Sequence, residues 1–363
     1  MTAAVDSVEE LQEAVRRGPR VLPVAGGTKP ALSTPPSEDV LALDVSGLRG
    51  IVEYDPAELT LTARAGTPVA EVADALAEHG QYLPFDPPLA RAGATLGGAV
   101  AAGASGPGAF RHGGVRDFVI GVRLVEGTGR LVAGGGRVVK NAAGFDLPKL
   151  MVGSMGRLGV LVQLSLKVFP RPRATATLVF DLGTTRAALA ALAGLARGPL
   201  ALDALDLHPP GRLLVRLGGA PEALEARAAR LAEALPGTPV AERLDGEAEA
   251  ALWRDAAELA WMGPGTRAVR VGLTARAVPE LDELLADAGA SARYSLGANV
   301  AWVAWPHDRA LAGLDLALRA LGLSGMALTG PPAPALLGAR GGGPFAARIR
   351  SALDPHGRFG PEA

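Results

Sequence analysis

The sequence predicts an α+β protein with two domains and a short C-terminal segment. Its 363 residues are enough for two or three domains of ordinary size. Up to about residue 172, short apolar strands alternate with helices and with three glycine-rich passages. After Arg171-Pro172-Arg173 the order of elements becomes β-α-β-β-α, which favours an antiparallel sheet. We therefore expect a first domain at 1–172, an α+β cap domain at 173–335 and a segment at 336–363 that returns to the first domain.

Composition excludes several classes of partner and cofactor. The formal net charge is −1 and no cluster of Lys and Arg occurs, so neither nucleic acid nor an anionic membrane surface is an expected partner. Cysteine is absent, which excludes disulfides, thiolate metal sites and cysteinyl iron–sulfur ligation, so any electron transfer needs an organic cofactor. The N-terminus is unlike a signal peptide, and no apolar stretch reaches the roughly 18 residues of a membrane span. We expect a cytoplasmic protein without an integral membrane segment.

The first glycine-rich passage follows a buried strand. Residues 6–17 predict a helix and residues 20–24 a strand. The strand ends in Ala25, Gly26, Gly27, Thr28 and Lys29. Successive backbone amides in such a turn can point into one concavity that binds an anion. The spacing matches neither a P-loop nor a dinucleotide-binding GxGxxG turn. A tight turn with a surface lysine explains the pattern equally well.

The second passage, residues 93–106, consists mostly of small side chains. Strands at 40–43, 51–54 and 59–63 and a helix at 68–79 are predicted before it. Small side chains permit either close helix packing or contact between the backbone and a flat ligand. Residues 111–117 then lead into a predicted strand at 119–126, a hairpin turn and a return strand at 130–133.

The run from Gly134 to Pro170 contains the third passage. Asp146 is a good N-cap for a short helix, in whose first turn a proline is tolerated. Gly153, Gly156 and Gly159 follow at a spacing of three, and glycine allows a positive φ or close approach to a flat or anionic group. Alternating apolar residues over 160–168 then predict a strand. Taken alone, the passage is about equally compatible with ligand binding and with an ordinary turn between buried elements.

The cap domain shows a repeated order of elements. The first set is a strand at 175–181, a helix at 184–196, strands at 201–207 and 212–217, and a helix at 221–235. The second is a strand at 268–272, a helix at 279–286, strands at 292–296 and 300–305, and a helix at 307–321. We interpret the domain as a possible duplication of a split β-α-β unit with an antiparallel sheet. The C-terminal segment is predicted as a helix followed by a turn.

Three motifs, taken together, resemble one flavoprotein family. They are ATLGGAVAAGASGP with RHGGVRDFVIGVRL, then VKNAAGFDLPKLMVGSMGRLGVLVQLSLKVFPRP, and finally LDPHGRFGP. The three glycine-rich passages, in their order and spacing, resemble the FAD-binding domain of the vanillyl-alcohol oxidase family, also called the PCMH type, over about residues 4–172. Within the family, the resemblance is strongest to the smaller FAD-binding subunits of bacterial glycolate oxidases.

The resemblance implies an FAD held between two α+β subdomains, at about 1–50 and 51–172, with its pyrophosphate on backbone amides. Glycine amides can approach a diphosphate or a flavin edge that a Cβ would block. The FAD-binding positions implied by the family are Ala25, Gly26, Gly27, Thr28, Lys29, Thr95, Gly97, Gly98, Ser105, Gly106, Arg116, Asp117, Gly153, Ser154, Gly156, Leu158, Gly159 and Val160.

The chain departs from the family pattern at several positions, and these departures lead to expectations about flavin attachment and metal binding. Thr28 stands where members with covalently attached flavin have a histidine, so we expect a dissociable FAD. Catalytic subunits of the family typically have a Ser-Glu-Gly-Thr-Leu-Gly turn. At the same turn, residues 154–159, this chain has Met155 in place of the Glu and Arg157 in place of the Thr. The HxGDGNxH metal motif of the related 2-hydroxy acid dehydrogenases is missing. The five histidines are scattered without ligand spacing, so we expect no metal site.

No catalytic residue can be assigned from the sequence. Flavin oxidation of a 2-hydroxy acid needs a base for the hydroxyl proton and cations for the carboxylate. His208, Tyr294 and His307 are candidate bases, but each is more simply interpreted as a surface or half-buried side chain. Arg111 and Arg116 are better placed, because their block flanks the cofactor loops.

The resemblance implies a subunit of a glycolate oxidase that oxidises glycolate, a small 2-hydroxy acid, to glyoxylate. Its implied partners are a larger FAD-containing subunit and an iron–sulfur subunit, through which any membrane association would arise. The lack of cysteine agrees with the need for a partner. Two alternatives stay open: a structural or assembly subunit without turnover of its own, and a stand-alone FAD-dependent 2-hydroxy acid oxidoreductase.

Overall fold

The computed structural model of the protein describes residues 2–35, 37–136, 145–330, 334–341 and 343–359. Residues 139–144 of the longest motif and residues 360 and 361 of the C-terminal motif lie outside these ranges. The chain divides into two compact units. The first comprises Met1–Ser105, Gly114–Pro170 and Arg340–Ala363, and the second comprises Gly106–Gly113 and Arg171–Ala339.

The helices and strands follow one another closely along the chain. The helices are α1 (Val8–Arg17), α2 (Pro30–Ser33), α3 (Val69–Ala77), α4 (Leu96–Ala102), α5 (Ala109–His112), α6 (Val115–Phe118), α7 (Leu147–Met151), α8 (Thr185–Arg197), α9 (Pro221–Glu233), α10 (Gly246–Ala257), α11 (Val278–Asp287), α12 (Leu311–Ala320) and α13 (Gly343–Leu353), with a 3₁₀ turn at Ala275–Ala277. The strands are β1 (Thr2–Ala4), β2 (Arg20–Val24), β3 (Val40–Asp44), β4 (Ile51–Asp55), β5 (Thr60–Arg64), β6 (Gln81–Tyr82), β7 (Val119–Val125), β8 (Leu131–Gly135), β9 (Val160–Lys167), β10 (Phe169–Pro170), β11 (Ala174–Asp181), β12 (Ala204–His208), β13 (Arg212–Gly219), β14 (Val240–Asp245), β15 (Thr266–Gly272), β16 (Ser291–Ser295), β17 (Val300–Pro306), β18 (Ser324–Ala327) and β19 (Leu336–Gly338).

The first unit contains a parallel sheet of order β1-β3-β2 and an antiparallel sheet of order β4-β5-β9-β7-β8, with a small β10-β6 pair. Helix α1 begins after Ser7, whose hydroxyl caps the helix, and it buries Leu11 and Val15. These two side chains share a core cluster with Val21 of β2 and Val160 of β9. The strand that leads into the first glycine-rich loop and the strand that follows the third passage are therefore fixed in one core.

The C-terminal segment belongs to the same core. Phe359 is 4% exposed and forms a parallel bridge with Val21 of β2. The Val21 amide donates a hydrogen bond to the carbonyl oxygen of Arg358 at 2.7 Å. The Arg358 guanidinium donates to the carbonyl oxygens of Gly18 and Arg16 at 2.8 and 2.9 Å. The segment thus supports β2 directly before the first glycine-rich loop.

The second unit is built on one nine-stranded sheet of order β14-β11-β13-β12-β16-β17-β15-β18-β19. The chain order β11-α8-β12-β13-α9-β14 recurs as β15-α11-β16-β17-α12-β18. The strand orders of the two halves also match, and the halves meet where β12 pairs with β16. The predicted α+β class, with a duplicated split β-α-β arrangement and an antiparallel sheet, is confirmed.

Strand β14 and helix α10 were not anticipated from the sequence. Strand β14 lies at the sheet edge and is almost wholly exposed, so it lacks the alternation of apolar and polar residues that a half-buried strand shows. Helix α10 buries only Glu249 and Trp253, so its apolar stripe is weak. Both elements are recognisable only through their tertiary partners.

A buried polar network fixes α10 against β11 and β13. The carboxylate of Glu249 is fully buried and accepts hydrogen bonds from Arg216 at 2.8 Å and from Thr175 and Thr177 at 2.7 and 3.1 Å. The indole of Trp253 donates to the Thr177 hydroxyl at 2.8 Å. A buried carboxylate is tolerated only with such a cationic partner and satisfied oxygens. The network is therefore a point at which this unit is sensitive to substitution.

Candidate cofactor site

A groove in the first unit is lined by the ends of several elements. It lies where β2 and its following loop, helix α4, the turn before β9 and the start of β9 converge, and with the open space at its mouth it has a volume of about 740 Å³. Its lining residues are Pro23, Val24, Ala25, Gly26, Gly27, Thr28, Lys29, Leu32, Ser33, Val45, Ala65, Thr95, Gly97, Gly98, Ala101, Ala102, Ser154, Met155, Gly156, Gly159, Val160 and Leu161. Because most of these residues are small, much of the groove surface is backbone.

The loop after β2 brings backbone and one positive charge to the groove. At Gly26 a Cβ would lie 2.0 Å from the carbonyl oxygen of Gly93, so no side chain fits there. Gly27 has a φ of +64°, and the space at its missing Cβ is empty. Lys29 is 6% exposed, and its ammonium donates to the Thr28 hydroxyl at 3.3 Å. The loop can therefore approach a bulky anion closely.

Helix α4 forms a second side of the groove. Thr95 is its N-cap, and the Thr95 hydroxyl accepts a hydrogen bond from the Gly98 amide at 3.3 Å. The Gly97 amide donates to the carbonyl oxygen of Ala65 at 2.7 Å, and a Cβ at Gly97 would lie 2.8 Å from the Ala65 Cβ. The small residues of the second passage therefore serve close packing as well as the groove.

The turn before β9 forms the third side. The amides of Gly153 and Met155 donate to carbonyl oxygens of α4 at 3.0 and 2.9 Å. Met155 has a φ of +52°, which is uncommon for a residue with a side chain. Gly156 has a φ of +73°, and a Cβ there would lie 2.5 Å from the Cγ of Pro23. Gly156 thus sets the contact between this turn and β2.

Two polar groups in the groove are suited to a ligand. Ser154 is 7% exposed, and its hydroxyl has no hydrogen-bond partner within the described part of the chain. Leaving such a group unsatisfied costs roughly 1–3 kcal/mol, which a ligand that bonds to it would recover. Among the described lining residues, Lys29 is the one with an ionisable side chain. The groove therefore favours a largely apolar ligand that carries negative charge.

Most of the FAD-binding positions predicted from the family meet in this groove. They are Ala25, Gly26, Gly27, Thr28, Lys29, Thr95, Gly97, Gly98, Ser154, Gly156, Gly159 and Val160. Three passages that are far apart in the sequence are thus brought to one place.

The other predicted positions do not line the groove. They are Ser105, Gly106, Arg116, Asp117, Gly153 and Leu158. The hydroxyl of Ser105 accepts from the first amide of α6, and the carboxylate of Asp117 accepts from the amide that precedes α6, both at 2.9 Å. The guanidinium of Arg116 donates to the carbonyl oxygen of Lys149 at 2.9 Å. These three side chains organise backbone around α6, and contacts between FAD and these six positions stay predictions.

Several lining residues were missed by sequence reasoning. They are Pro23, Val24, Leu32, Ser33, Val45, Ala65, Ala101, Ala102, Met155 and Leu161. Most are ordinary apolar side chains, which give no sign of a ligand in a sequence. Leu32 and Ser33 belong to α2, and the available signal for that helix was Pro30 at its first position.

Arg157, which departs from the pattern of the catalytic subunits, does not line the groove. It is 5% exposed, and its Nε and Nη1 atoms have no hydrogen-bond partner within the described ranges. Burial, and next the charge of Arg350, lower the pKa of Arg157. The glycine turn therefore has a buried positive charge beside it that the groove does not use.

The candidate bases lie in the second unit. Tyr294 is fully buried and donates its hydroxyl hydrogen to Asp282 at 3.0 Å, and burial followed by the charge of Asp282 raises the pKa of Tyr294. Such a phenol is a structural group. Burial, followed by the charges of Arg293 and Arg212, lowers the pKa of His208 to about 3, so its imidazole is neutral at physiological pH.

The remaining candidates, Arg111 and His307, are bonded within the second unit. Arg111, which lies in the second unit, forms an ion pair with Asp203. The amide of His307 donates to the carbonyl oxygen of Gly265 at 2.8 Å. Across the residues that the structure describes, no group of three or more His, Asp or Glu side chains could hold a metal ion. None of the described helices has the length and apolar character needed to cross a membrane.

Comparison with known proteins identifies the family of the first part of the chain. A family model described as an FAD binding domain matches residues 1–135. Residues 1–135 form an FAD-binding domain of this family. The predicted resemblance and the predicted cofactor are thereby confirmed. The match covers the first two glycine-rich passages, and the third completes the groove of the FAD-binding domain.

Curated relatives share part of the chain. Glycolate oxidase subunit GlcE of Escherichia coli (strain K12) is 54% identical over 136 residues, which are 38% of this chain and 39% of that protein. Glycolate oxidase subunit GlcD of Bacillus subtilis (strain 168) is 32% identical over 159 residues, 44% of this chain and 34% of that protein. The mitochondrial D-lactate dehydrogenase [cytochrome] 1 of Saccharomyces cerevisiae is 31% identical over 190 residues, 52% of this chain and 32% of that protein. The chain therefore spans well under half the length of these relatives.

Solved structures resemble the whole chain in fold. A structure of alkyldihydroxyacetonephosphate synthase aligns with a TM-score of 0.73 at 17% identity, over 100% of this chain and 76% of that chain. A second crystal form of the same enzyme gives a TM-score of 0.75 over 99% of this chain. At 17% identity this likeness concerns the fold alone.

Proposed function

We propose that the chain is the FAD-binding subunit of a glycolate oxidase and oxidises glycolate to glyoxylate, with flavin as hydride acceptor, together with a larger catalytic flavoprotein subunit and an iron–sulfur subunit. The observation that carries the proposal is the 54% identity to GlcE over 136 residues. This identity is higher than the 31% identity to a D-lactate dehydrogenase, so it favours a glycolate oxidase subunit over a lactate dehydrogenase. We further propose a cytoplasmic location, with any membrane association supplied by the partner subunits.

Within this function, the groove of the FAD-binding domain holds the cofactor. Backbone at Gly26 and Gly27 and the ammonium of Lys29 would hold the pyrophosphate, because a positive charge and glycine amides in close approach suit a diphosphate. The hydroxyl of Ser154, which has no protein partner among the described residues, would bond to a polar edge of the cofactor. Bound FAD supplies the acceptor for the hydride that leaves the carbon bearing the substrate hydroxyl.

The partner subunits supply what these 363 residues lack. The sequence contains no cysteine, so cysteinyl iron–sulfur ligation has to come from outside these 363 residues. The described groove lining contains no carboxylate or histidine to accept the hydroxyl proton of glycolate. Both observations favour a chain that works in a complex. The second of them also favours the alternative of an assembly subunit that binds FAD without turnover of its own.

The experiment that tests the proposal uses the purified chain alone and in complex. We expect a yellow protein that releases its flavin on acid precipitation, because the cofactor is bound without a covalent link. Bleaching of the flavin by glycolate under anaerobic conditions supports turnover on this chain, whereas an unchanged flavin spectrum supports the assembly role. A chain that stays colourless with added FAD contradicts the proposal. Co-purification from the source cell tests the two partner subunits.

A further inference from the structure

Helix α13 of the C-terminal segment is not covered by the rest of the first unit. All of its residues, Gly343–Leu353, are described, and none of them is buried. Ile349 and Leu353 are half-buried, whereas Phe345, one turn before Ile349, is 57% exposed. A helix of a globular protein usually buries one apolar stripe against the core. Helix α13 therefore leaves part of its apolar stripe in contact with solvent.

The exposed side of α13 is also basic. Arg348 is exposed, and its guanidinium carbon lies 5.9 Å from the ring centroid of Phe345. Residues 340–353 contain three arginines and no Asp or Glu. The acid that follows, Asp354, is 5% exposed and accepts hydrogen bonds from two backbone amides further along the segment at 2.7 and 2.9 Å. Residues 343–359 therefore present no carboxylate to solvent beside the helix.

A buried charge next to α13 adds to its positive character. Arg157 is 5% exposed, and its Nε and Nη1 atoms have no hydrogen-bond partner among the described residues. The charge of Arg350, a residue of α13, acts on the guanidinium of Arg157. Because like charges repel more strongly away from water, an acidic group brought to this side of the helix would stabilise both arginines.

The same interaction locates α13 relative to the cofactor groove. Arg157 stands between Gly156 and Gly159, which line the groove, although Arg157 itself does not. Because Arg350 acts on Arg157, α13 lies close to the glycine turn. A protein docked on α13 would thus be near the groove without entering it.

Three kinds of partner have to be compared for a basic, partly apolar helix. In a symmetric contact, a second copy of the chain would bring the same arginines to the same patch, so like charges would meet. Insertion into an anionic membrane needs a wide apolar face, but Phe345 is the large apolar side chain that α13 exposes. An acidic protein surface matches both features, because aromatic residues and arginine are enriched in protein interfaces and opposite charges attract.

We infer that α13 is the docking surface for an acidic face of the iron–sulfur subunit, with Phe345 and Arg348 at its centre. The inference rests on the proposed function, and it adds the surface of this chain at which one partner binds. The partner would contribute Asp or Glu side chains against Arg348 and Arg350 and an apolar pocket for the ring of Phe345. The place of α13 near the groove favours the iron–sulfur subunit, because a carrier of electrons has to come close to the flavin.

Calorimetric titration of the full chain with the purified iron–sulfur subunit of the same source tests this surface. We expect Phe345→Ser and Arg348→Glu each to weaken the complex roughly 10- to 100-fold, the usual effect at the centre of an interface. Both side chains are exposed, so flavin content and thermal unfolding should stay unchanged. The matched controls are Leu316→Ser and Arg186→Glu, at exposed positions of α12 and α8, which should bind like the unmodified chain.

The salt dependence of binding gives a second readout. Added sodium chloride should weaken the complex of the unmodified chain more than that of Arg348→Glu, because salt screens the charge that the variant has lost. Unchanged affinity in both α13 variants overturns the docking surface. The inference is equally overturned if the two variants instead lose self-association, binding to the larger flavoprotein subunit, or binding to vesicles of phosphatidylcholine and phosphatidylserine.

The same experiments separate this inference from the proposed function. Co-purification with both partner subunits, together with full affinity of the α13 variants for the iron–sulfur subunit, contradicts the docking surface alone. A chain that binds neither subunit contradicts the proposed function as well.

Discussion

The groove of the FAD-binding domain and the row of Arg270, Trp302 and Arg293 across strands β15, β17 and β16 are surfaces made in different ways. The groove is made of backbone and small side chains, with Lys29 as its one charge among the described lining residues. The row is made of long side chains, Arg270, Arg293 and Trp302, presented by a regular sheet.

The two surfaces differ in how a substitution acts on them. In the groove, glycines are required by positive φ and by contacts that leave no room for a Cβ, so a larger residue changes the backbone itself. In the row, a side chain can be shortened while the sheet keeps its pairing. We therefore expect groove variants to affect folding and flavin together, whereas shortened side chains in the row should leave the strand pairing intact.

The largest expected effect is that of Gly156→Val. Valine at a φ of +73° is strained, and its Cβ would lie 2.5 Å from the Cγ of Pro23, which together cost about 3–5 kcal/mol. We expect flavin to be lost while the second unit stays folded, as measured by the ratio of flavin to protein absorbance and by circular dichroism. Gly80→Val is the control, because Gly80 has a φ of +64° with empty space around it. Full flavin content in Gly156→Val would refute the cofactor role of this turn.

The next effect, Glu249→Ala, tests whether the second unit depends on its side-chain network. Removing the carboxylate leaves Arg216 without its buried partner, which should lower the free energy of unfolding by about 3 kcal/mol in urea titrations. The matched control is Glu242→Ala, which breaks an exposed ion pair with Arg212 on the same strand as Arg216 and should cost less than about 1 kcal/mol. Equal losses of unfolding free energy in the two variants would mean that the buried network stabilises the unit no more than an exposed ion pair does.

A smaller effect is expected for Gly27→Ala, which adds one methyl group to the groove. The space at the missing Cβ is empty, so the methyl group meets no protein atom and would collide only with a bound ligand. We expect a stability loss of about 1 kcal/mol from the positive φ and FAD binding weakened by at least about tenfold in fluorescence titrations. Gly80→Ala has the same φ without the groove and should bind FAD normally. Equal FAD affinity in the two variants would remove Gly27 from the cofactor site.

The smallest effect near neutral pH concerns His208. Its pKa in the folded protein is lowered to about 3, so below an ordinary histidine pKa of about 6.5 the unfolded chain binds a proton that the folded chain does not. Stability should therefore fall as the pH drops from about 6.5 towards 3. Compared with His208→Gln, the unmodified protein should be equally stable at pH 7 and less stable at pH 4 in thermal unfolding. A stability difference that does not change with pH would show that His208 is not held neutral.

The groove was largely predictable from the sequence, because glycine identity itself records a backbone requirement. Gly26, Gly27 and Gly156 were named from their passages, and each has either a positive φ or no room for a Cβ. Residues such as Leu32 and Val45 were not predictable, because an apolar side chain looks the same in a core and in a ligand groove. Ser105 and Asp117 bond to backbone amides around α6, a role that the sequence pattern does not distinguish from ligand binding, and their contacts with FAD stay predictions.

The row of Arg270, Trp302 and Arg293 was beyond the reach of the sequence. Alternation along a strand divides residues between two faces, but it does not say which strands are neighbours or in what register. Tyr294 and Arg293 were both polar residues of one predicted strand. The register sends Tyr294 to Asp282 on the helix-covered face and Arg293 to Trp302 on the other. The meeting of β12 with β16, which brings His208 to Arg293, joins the two halves of a duplication and has no local signal.

The C-terminal segment affects the order in which the two units of the protein fold. Arg358 bonds to Gly18 across 340 positions of sequence, and Phe359 completes the core in which β2 and β9 are fixed. Because synthesis runs from the N-terminus, the FAD-binding domain, although encoded first, cannot complete its core until almost the whole chain has left the ribosome. Long-range contacts of this kind also slow folding. We therefore expect the second unit to fold first, and flavin to be captured only after translation has passed Phe359.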